Sequence, residues 1–137
     1  MPQTITRGYK ALLAEANAKV ETVTPQEALR RAAEGALLVD LRDPRELERE
    51  GRVPGAFHCP RGMLEFWIDP ESPYFKPVFG EDRAFVFFCA GGWRSALSAA
   101  TAQDMGLKPV AHVEGGFKAL REAGAPLEAP SAYPTVL

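Results

Sequence analysis

Short apolar runs alternate with helix-forming segments along this chain, and that alternation limits its folds more than any other feature. "ALLVDL" (36–41), "AFVFF" (84–88) and "PVAHV" (109–113) are apolar at successive positions and rich in branched or aromatic side chains. Runs of that length and kind suit strands buried on both faces. Helical patterns stand around them. "RGYKALLAEANAK" (7–19) places Leu12, Leu13 and Ala16 on one face. In "VTPQEALRRAAEG", Thr24 suits the cap, Pro25 the first helical position, Glu27 a capping box and Gly35 the end. "RDPRELEREG" is a short charged helix, the stretch from about Arg94 to Met105 another, ending on Gly106, and "GFKALREAG" the last. Strand and helix in turn predict an α/β fold, a parallel sheet with helices on both faces.

Between these elements, "RVPGAFHCP" reads as a turn feeding a brief strand that Pro60 ends. Residues 61–83 carry Pro70, Pro73 and Pro77 but also Leu64, Phe66, Trp67, Phe75 and Phe79. The aromatic part of that segment, 63–83, is therefore expected as an ordered loop over the core or at a pocket mouth. "VPGA" and the pair Gly115–Gly116 read as turns, and "PLEAPSAYPTVL" as an extended, peripheral tail. The expected organisation is an N-terminal helical extension (1–22) packed on a domain (23–128), then a tail (129–137).

With 137 residues, 46% of them hydrophobic, the chain can bury one core unaided. A net charge of -2 with scattered basic residues gives no electrostatic footprint for nucleic acid or an anionic membrane. No apolar run approaches the roughly 20 residues of a membrane span, and "MPQTITRGYK" lacks the apolar centre of a secretory signal, so a cytoplasmic location is expected. Two cysteines, Cys59 and Cys89, are too few for a disulfide framework, and no Cys/His spacing suggests a metal site. Cys59, beside His58 in an apolar stretch, reads as buried, with a resolving thiol for Cys89 as the sharper alternative. His58 and His112 each end a short apolar segment and read as structural or surface residues.

Cys89 is different in its position. It closes the "AFVFF" strand, and ligands of parallel α/β sheets bind at the carboxyl ends of strands. A helix starts about five residues later, so its unpaired N–H groups and positive dipole end can face the sulfur and favour a thiolate. Gly91 and Gly92 let the backbone curl into an anion nest. Arg94 can bind an anion or lock the loop onto a carboxylate, and Ser95 can cap the helix or donate to the loop. Trp93 suits a lid over the thiol or a ring packed on the helix. Read locally, a buried cysteine before an ordinary turn explains the stretch as well as a reactive one does. Asp40 and Arg42, at another strand's carboxyl end, read as an ion pair near the same crevice.

"CAGGWRS", Cys89 to Ser95, resembles the active-site loop of single-domain rhodanese-like sulfurtransferases, patterned C-x-x-G-x-R-S. "LLVDLRDPRELEREGRVPGAFHCP" resembles that family's first signature and "VEGGFKALREAGAPLE" its closing one, together covering about Val23 to Glu128. The resemblance implies a three-layer rhodanese-like fold. It implies that Cys89 takes a sulfane sulfur as a persulfide and passes it to a thiophilic acceptor, with Ala90, Gly91, Gly92, Trp93, Arg94 and Ser95 as the binding loop. Asp40 and Arg42 are supporting residues, and Asp40 or Glu46 a carboxylate that orients Arg94. No metal or organic cofactor is required. The donor is a small sulfur-containing anion such as thiosulfate, a thiol or a persulfide, and the acceptor can be a protein. The loop interior carries no positive residue before Arg94, which favours strong thiosulfate selection less than a lysine- or arginine-rich loop would. Two other readings stay open: a persulfide carrier or binding module for a protein partner, and a cysteine-based phosphatase or arsenate reductase. The latter enzymes separate cysteine and arginine by five residues, whereas four lie between Cys89 and Arg94.

Overall fold

The computed structural model describes residues 2–129. Five parallel strands form one sheet in the order β1-β5-β4-β2-β3. They are β1 (Glu21–Val23), β2 (Leu37–Asp40), β3 (Phe57–His58), β4 (Phe85–Phe88) and β5 (Val110–Val113). The helices are α1 (Tyr9–Lys19), α2 (Pro25–Ala33), α3 (Pro44–Glu50), α4 (Leu64–Ile68), α5 (Trp93–Met105) and α6 (Gly116–Glu122). All residues of β2, β4 and β5 are buried, as continuous apolar runs require of central strands.

Alternate residues of those strands feed two cores, because successive side chains point to opposite faces. Leu37, Val39, Phe85 and Phe87 pack with Leu64, Ile68, Ala99 and Ala102 on the side of α4 and α5. Leu38, Val86, Phe88, Ala111 and Val113 pack with Ala28, Phe117 and Leu120 on the side of α2 and α6. α1 lies against α5. The three-layer α/β architecture is the one expected from the sequence.

Several local readings change. Edge strand β1 straddles residue 22, so the sheet begins inside the segment read as an extension. Of the expected apolar face of α1, Ala16 is buried, Leu13 half-buried and Leu12 exposed. Thr24 caps α2 by accepting from the Glu27 N–H at 3.1 Å, but the Glu27 carboxylate turns to Arg30 and Arg31 and does not complete a box. The capping box belongs to α3 instead, where Asp43 and Glu46 satisfy each other's backbone. The 61–83 segment is ordered and packed, and it contains α4 and two single-turn 3-10 helices, Arg61–Met63 and Pro77–Gly80. Phe79 stacks on Phe85, and Phe57 meets Trp67 and Phe79 edge-on. Of the expected tail, Glu128 pairs with Arg52 in an antiparallel bridge, while residues 130–137 lie outside the described residues.

The chain order sets where a ligand can sit. From β2 the chain runs outward through α3 to β3, and from β4 it runs the opposite way through α5 to β5. The carboxyl ends of adjacent β2 and β4 therefore flank the point where the winding reverses, which opens a crevice there. Cys89 follows β4 directly, and Leu41 and Arg42 follow β2.

Candidate active site

Cys89 is 1% exposed and forms the floor of a cavity of about 310 Å³ that Gly91, Trp93 and Arg94 also line. Gly92 makes the loop possible. Its φ of 109° lies in the left-handed region, where a side chain is strained, and it turns the Gly92 N–H onto Cys89 Sγ at 3.1 Å. Helix α5 begins at Trp93, one residue earlier than expected, so the first N–H groups without intrahelical partners follow the sulfur closely in the chain. The carbonyls beneath the loop are held from another element: Phe117 N–H donates to Cys89 O at 2.7 Å and Lys118 N–H to Ala90 O at 3.3 Å. That approach needs Gly116. A Cβ there would sit 2.5 Å from Cys89 O and 2.7 Å from Ala90 O.

Arg94 does not meet Asp40. Its Nη1 and Nη2 donate to Glu46 Oε2 and Oε1 at 2.8 and 2.9 Å, a two-pronged pair joining α5 to α3 across the crevice. Glu46 Oε2 also accepts from the Asp43 N–H at 2.8 Å, so one carboxylate caps α3 and fixes the arginine. The guanidinium pulls the Glu46 carboxyl down to about 2, against the opposing effect of burial. Arg94 is in turn pushed up, chiefly by Glu46, with the nearby Cys89 adding to the effect.

Asp40 and Arg42 pair with each other in full burial. Arg42 Nε and Nη2 donate to the Asp40 carboxylate at 3.0 and 2.8 Å, and Nη2 also donates to Gly51 O at 3.0 Å. The guanidinium lies 3.9 Å from the centroid of Phe117, the residue whose N–H holds Cys89 O. This pair therefore braces the floor of the site and the end of α3 and takes no direct part at the sulfur. Trp93 is 63% exposed at the cavity rim, with its ring 5.0 Å from that of Tyr9 on α1. Cys59 is wholly buried, and burial pushes its thiol up to about 12, which disfavours the thiolate a resolving cysteine supplies.

Ser95 is also buried. Its Oγ stands 3.7 Å from Cys89 Sγ, 3.3 Å from Gly92 O and 3.1 Å from His112 Nδ1. His112 Nε2 lies 3.0 Å from Asn17 Oδ1 and 3.1 Å from Thr22 Oγ1. Nothing local in the sequence places His112, Asn17 or Thr22 at the site. The available signal was register: His112 pairs with Phe87, two residues before Cys89, on the neighbouring strand.

Comparison with known proteins agrees with this geometry. Residues 24–123 match the rhodanese-like domain, and the chain belongs to that family. A sulfurtransferase of Allochromatium vinosum is 32% identical over 97 residues, which cover 71% of this chain and 82% of that protein. The polysulfide-sulfur transferase homodimer of Wolinella succinogenes is similar in structure, with a TM-score of 0.68, 31% identity and coverage of 88% of this chain and 87% of that one. A Rhodopseudomonas palustris protein described as of unknown function, possible tyrosine phosphatase, has a TM-score of 0.89 and 65% identity. It covers 93% of this chain, which covers 99% of it.

Proposed function

We propose that this protein is a sulfurtransferase that carries a sulfane sulfur as a persulfide on Cys89. The observation that carries the reading is the sulfur at the cavity floor, with the Gly92 N–H aimed at it from 3.1 Å. In the first half-reaction the Cys89 thiolate attacks the outer sulfur of a donor. A new S–S bond forms, the donor's own S–S bond breaks, and its electron pair leaves with the departing sulfite or thiolate. In the second, a nucleophile such as cyanide or a thiol takes the outer sulfur and the thiolate is restored. Main-chain N–H groups and the start of α5 stabilise the anion at both stages. Family membership and the naming of two relatives for sulfur transfer support the reading.

Donor choice follows from the cavity walls. Gly91 and Trp93 contribute no charge, and both terminal nitrogens of Arg94 already serve Glu46. A persulfide borne on a larger molecule, whose outer S–S bond the thiolate can break, suits such walls better than the thiosulfate dianion. The phosphatase reading has one observation in its favour, the description of the R. palustris relative. Against it, an oxyanion would compete with Glu46 for the arginine, and the ring from Cys89 to Arg94 is one residue shorter than phosphate loops use. Steady-state assays with thiosulfate or polysulfide as donor and cyanide as acceptor, run beside p-nitrophenyl phosphate hydrolysis, separate the two. Thiocyanate release without phosphate release is expected. Phosphate release without thiocyanate would overturn the proposal.

A further inference from the structure

Histidine buried in a core needs only partners for its two ring nitrogens, and His112 has them. The identity of one partner goes beyond that need. Asn17 Oδ1 is an amide oxygen and can only accept, so Nε2 carries the ring hydrogen and Nδ1 presents a lone pair. That lone pair faces Ser95 Oγ at 3.1 Å, and Ser95 Oγ is the side-chain oxygen beside the reacting sulfur, at 3.7 Å. The Ser95 hydroxyl has one hydrogen and two acceptors, Nδ1 and the more distant Gly92 O at 3.3 Å. A continuous directed chain thus runs from Cys89 S–H to Ser95 Oγ, from Ser95 O–H to His112 Nδ1, and from His112 Nε2–H to Asn17.

We propose that His112 governs the ionisation of Cys89 through Ser95, receiving the thiol proton by relay and holding it as an imidazolium anchored to helix α1 by Asn17. The step balances within the protein. The S–H bond breaks with its electron pair left on sulfur, Ser95 Oγ takes that hydrogen, and the Ser95 hydrogen passes to Nδ1. A neutral thiol and a neutral imidazole become a thiolate and an imidazolium, with no outside acid or base. His112 is a positioning residue in this scheme, since Ser95 and not the imidazole touches the sulfur. The sulfur-transfer role of the thiolate rests on the function proposed above, but the relay itself does not.

The surroundings bear on the charge balance in stated ways. Burial lowers the affinity of His112 for a proton, and Glu114, at the end of β5, opposes that. β1 and α1 face the ring with the uncharged Thr22 and Asn17, and β4 pairs Phe87 with it in register. On the sulfur side the charges are Arg94 and its partner Glu46, with Glu50, Lys118 and Arg121 around a neighbouring cavity beneath Ala90 and Gly91. Burial thus disfavours the charged ring, and the thiolate formed across Ser95 is the charge that makes the imidazolium acceptable.

The test is the rate of Cys89 alkylation by iodoacetamide against pH, from about 5 to 9, on the full chain with Cys89→Ser as blank. The native rate should show an inflection below the ordinary histidine value of 6.5, because burial lowers the affinity of His112 for a proton. His112→Gln should remove that inflection and slow alkylation at neutral pH about tenfold, a modest share of what a positioned proton acceptor supplies. In a Ser95→Ala background the same substitution should change the rate less than about twofold, because the connection is already cut. A folded His112→Gln protein with the native profile, or with an equal loss in both backgrounds, overturns the relay. If His112→Gln does not fold, Asn17→Ala decides: a fall of about threefold supports the anchor, and an unchanged rate refutes it. The readout needs no sulfur donor. A shifted profile in a protein that never forms persulfide would leave the relay standing and remove the sulfurtransferase reading, and the converse result would do the opposite.

Discussion

Replacing Glu46 with glutamine tests the electrostatic frame of the site, because the amide can still accept from the Asp43 N–H while the charge facing Arg94 is gone. The Glu46 carboxyl falls from an ordinary 4.5 to about 2. Taken whole, such a fall corresponds to about 3.4 kcal/mol. Glu46 is 15% exposed but Arg94 is 39% exposed, so water screens the pair and about 1–2 kcal/mol is the working figure. For a domain of this size that amounts to a melting point lower by about 4–8 °C. The sign of the pH effect is fixed by the direction of the change. A carboxyl lowered in the fold contributes stability in full above its unfolded value of 4.5 and loses it as pH falls toward 2. Urea titrations of the native and Glu46→Gln proteins at pH 7 and pH 3 should therefore differ by that amount at pH 7 and by about half or less at pH 3. An equal gap at both pH values, or none at pH 7, would show that the pair does not hold the crevice together.

Arg94→Ala should lower the melting temperature about as much as Glu46→Gln does, since it breaks the same pair, and should also reduce sulfur-transfer turnover at least about tenfold; intact specific activity with that melting loss would reassign Arg94 to structure. Gly116→Ala forces a methyl against Cys89 O at 2.5 Å and onto a φ of 62°, so it should cost about 2 kcal/mol or more in urea titration and disturb the loop. Cys59→Ala should leave persulfide loading intact, and Cys59 in the native protein should resist iodoacetamide at neutral pH, since burial holds its thiol near 12.

The parts of the fold that could be read from the sequence are those whose chemistry is local. β4 announces itself as an unbroken apolar run, β2 and β5 as apolar runs carrying only Asp40 and His112, α2 by Thr24 and Pro25 at its start, and α5 by Gly106 at its end. β1 has three residues with only Val23 buried, so nothing in "ETV" separates it from the approach to α2. α4 is too short, at five residues, to display a period, and prolines on either side disguise it. At the site, the Cys89 loop is contiguous and therefore legible. For the partner of Arg94 the sequence offers Asp40 or Glu46, and the choice depends on where α3 aims its first turn after the crevice, a tertiary fact. Asp40 was unavailable because Arg42, two residues away, occupies its carboxylate in full burial. His112 and Asn17 were invisible for the same reason at greater range: they meet across 95 positions, joined only once β5 lies beside β1 and α1 has packed on α5.

Among the described residues, no helix is long and apolar enough to cross a membrane. Tyr9 of α1 sets its ring against Trp93, which lines the Cys89 cavity, and the same helix supplies Asn17.

Intact-mass spectrometry of the protein after brief exposure to polysulfide or thiosulfate addresses the persulfide on Cys89 directly. The native chain and Cys59→Ala should each gain the mass of one sulfur and lose it on adding cyanide, and Cys89→Ser should gain nothing. No mass gain in the native protein with any sulfane donor, or an equal gain in Cys89→Ser, would contradict the account.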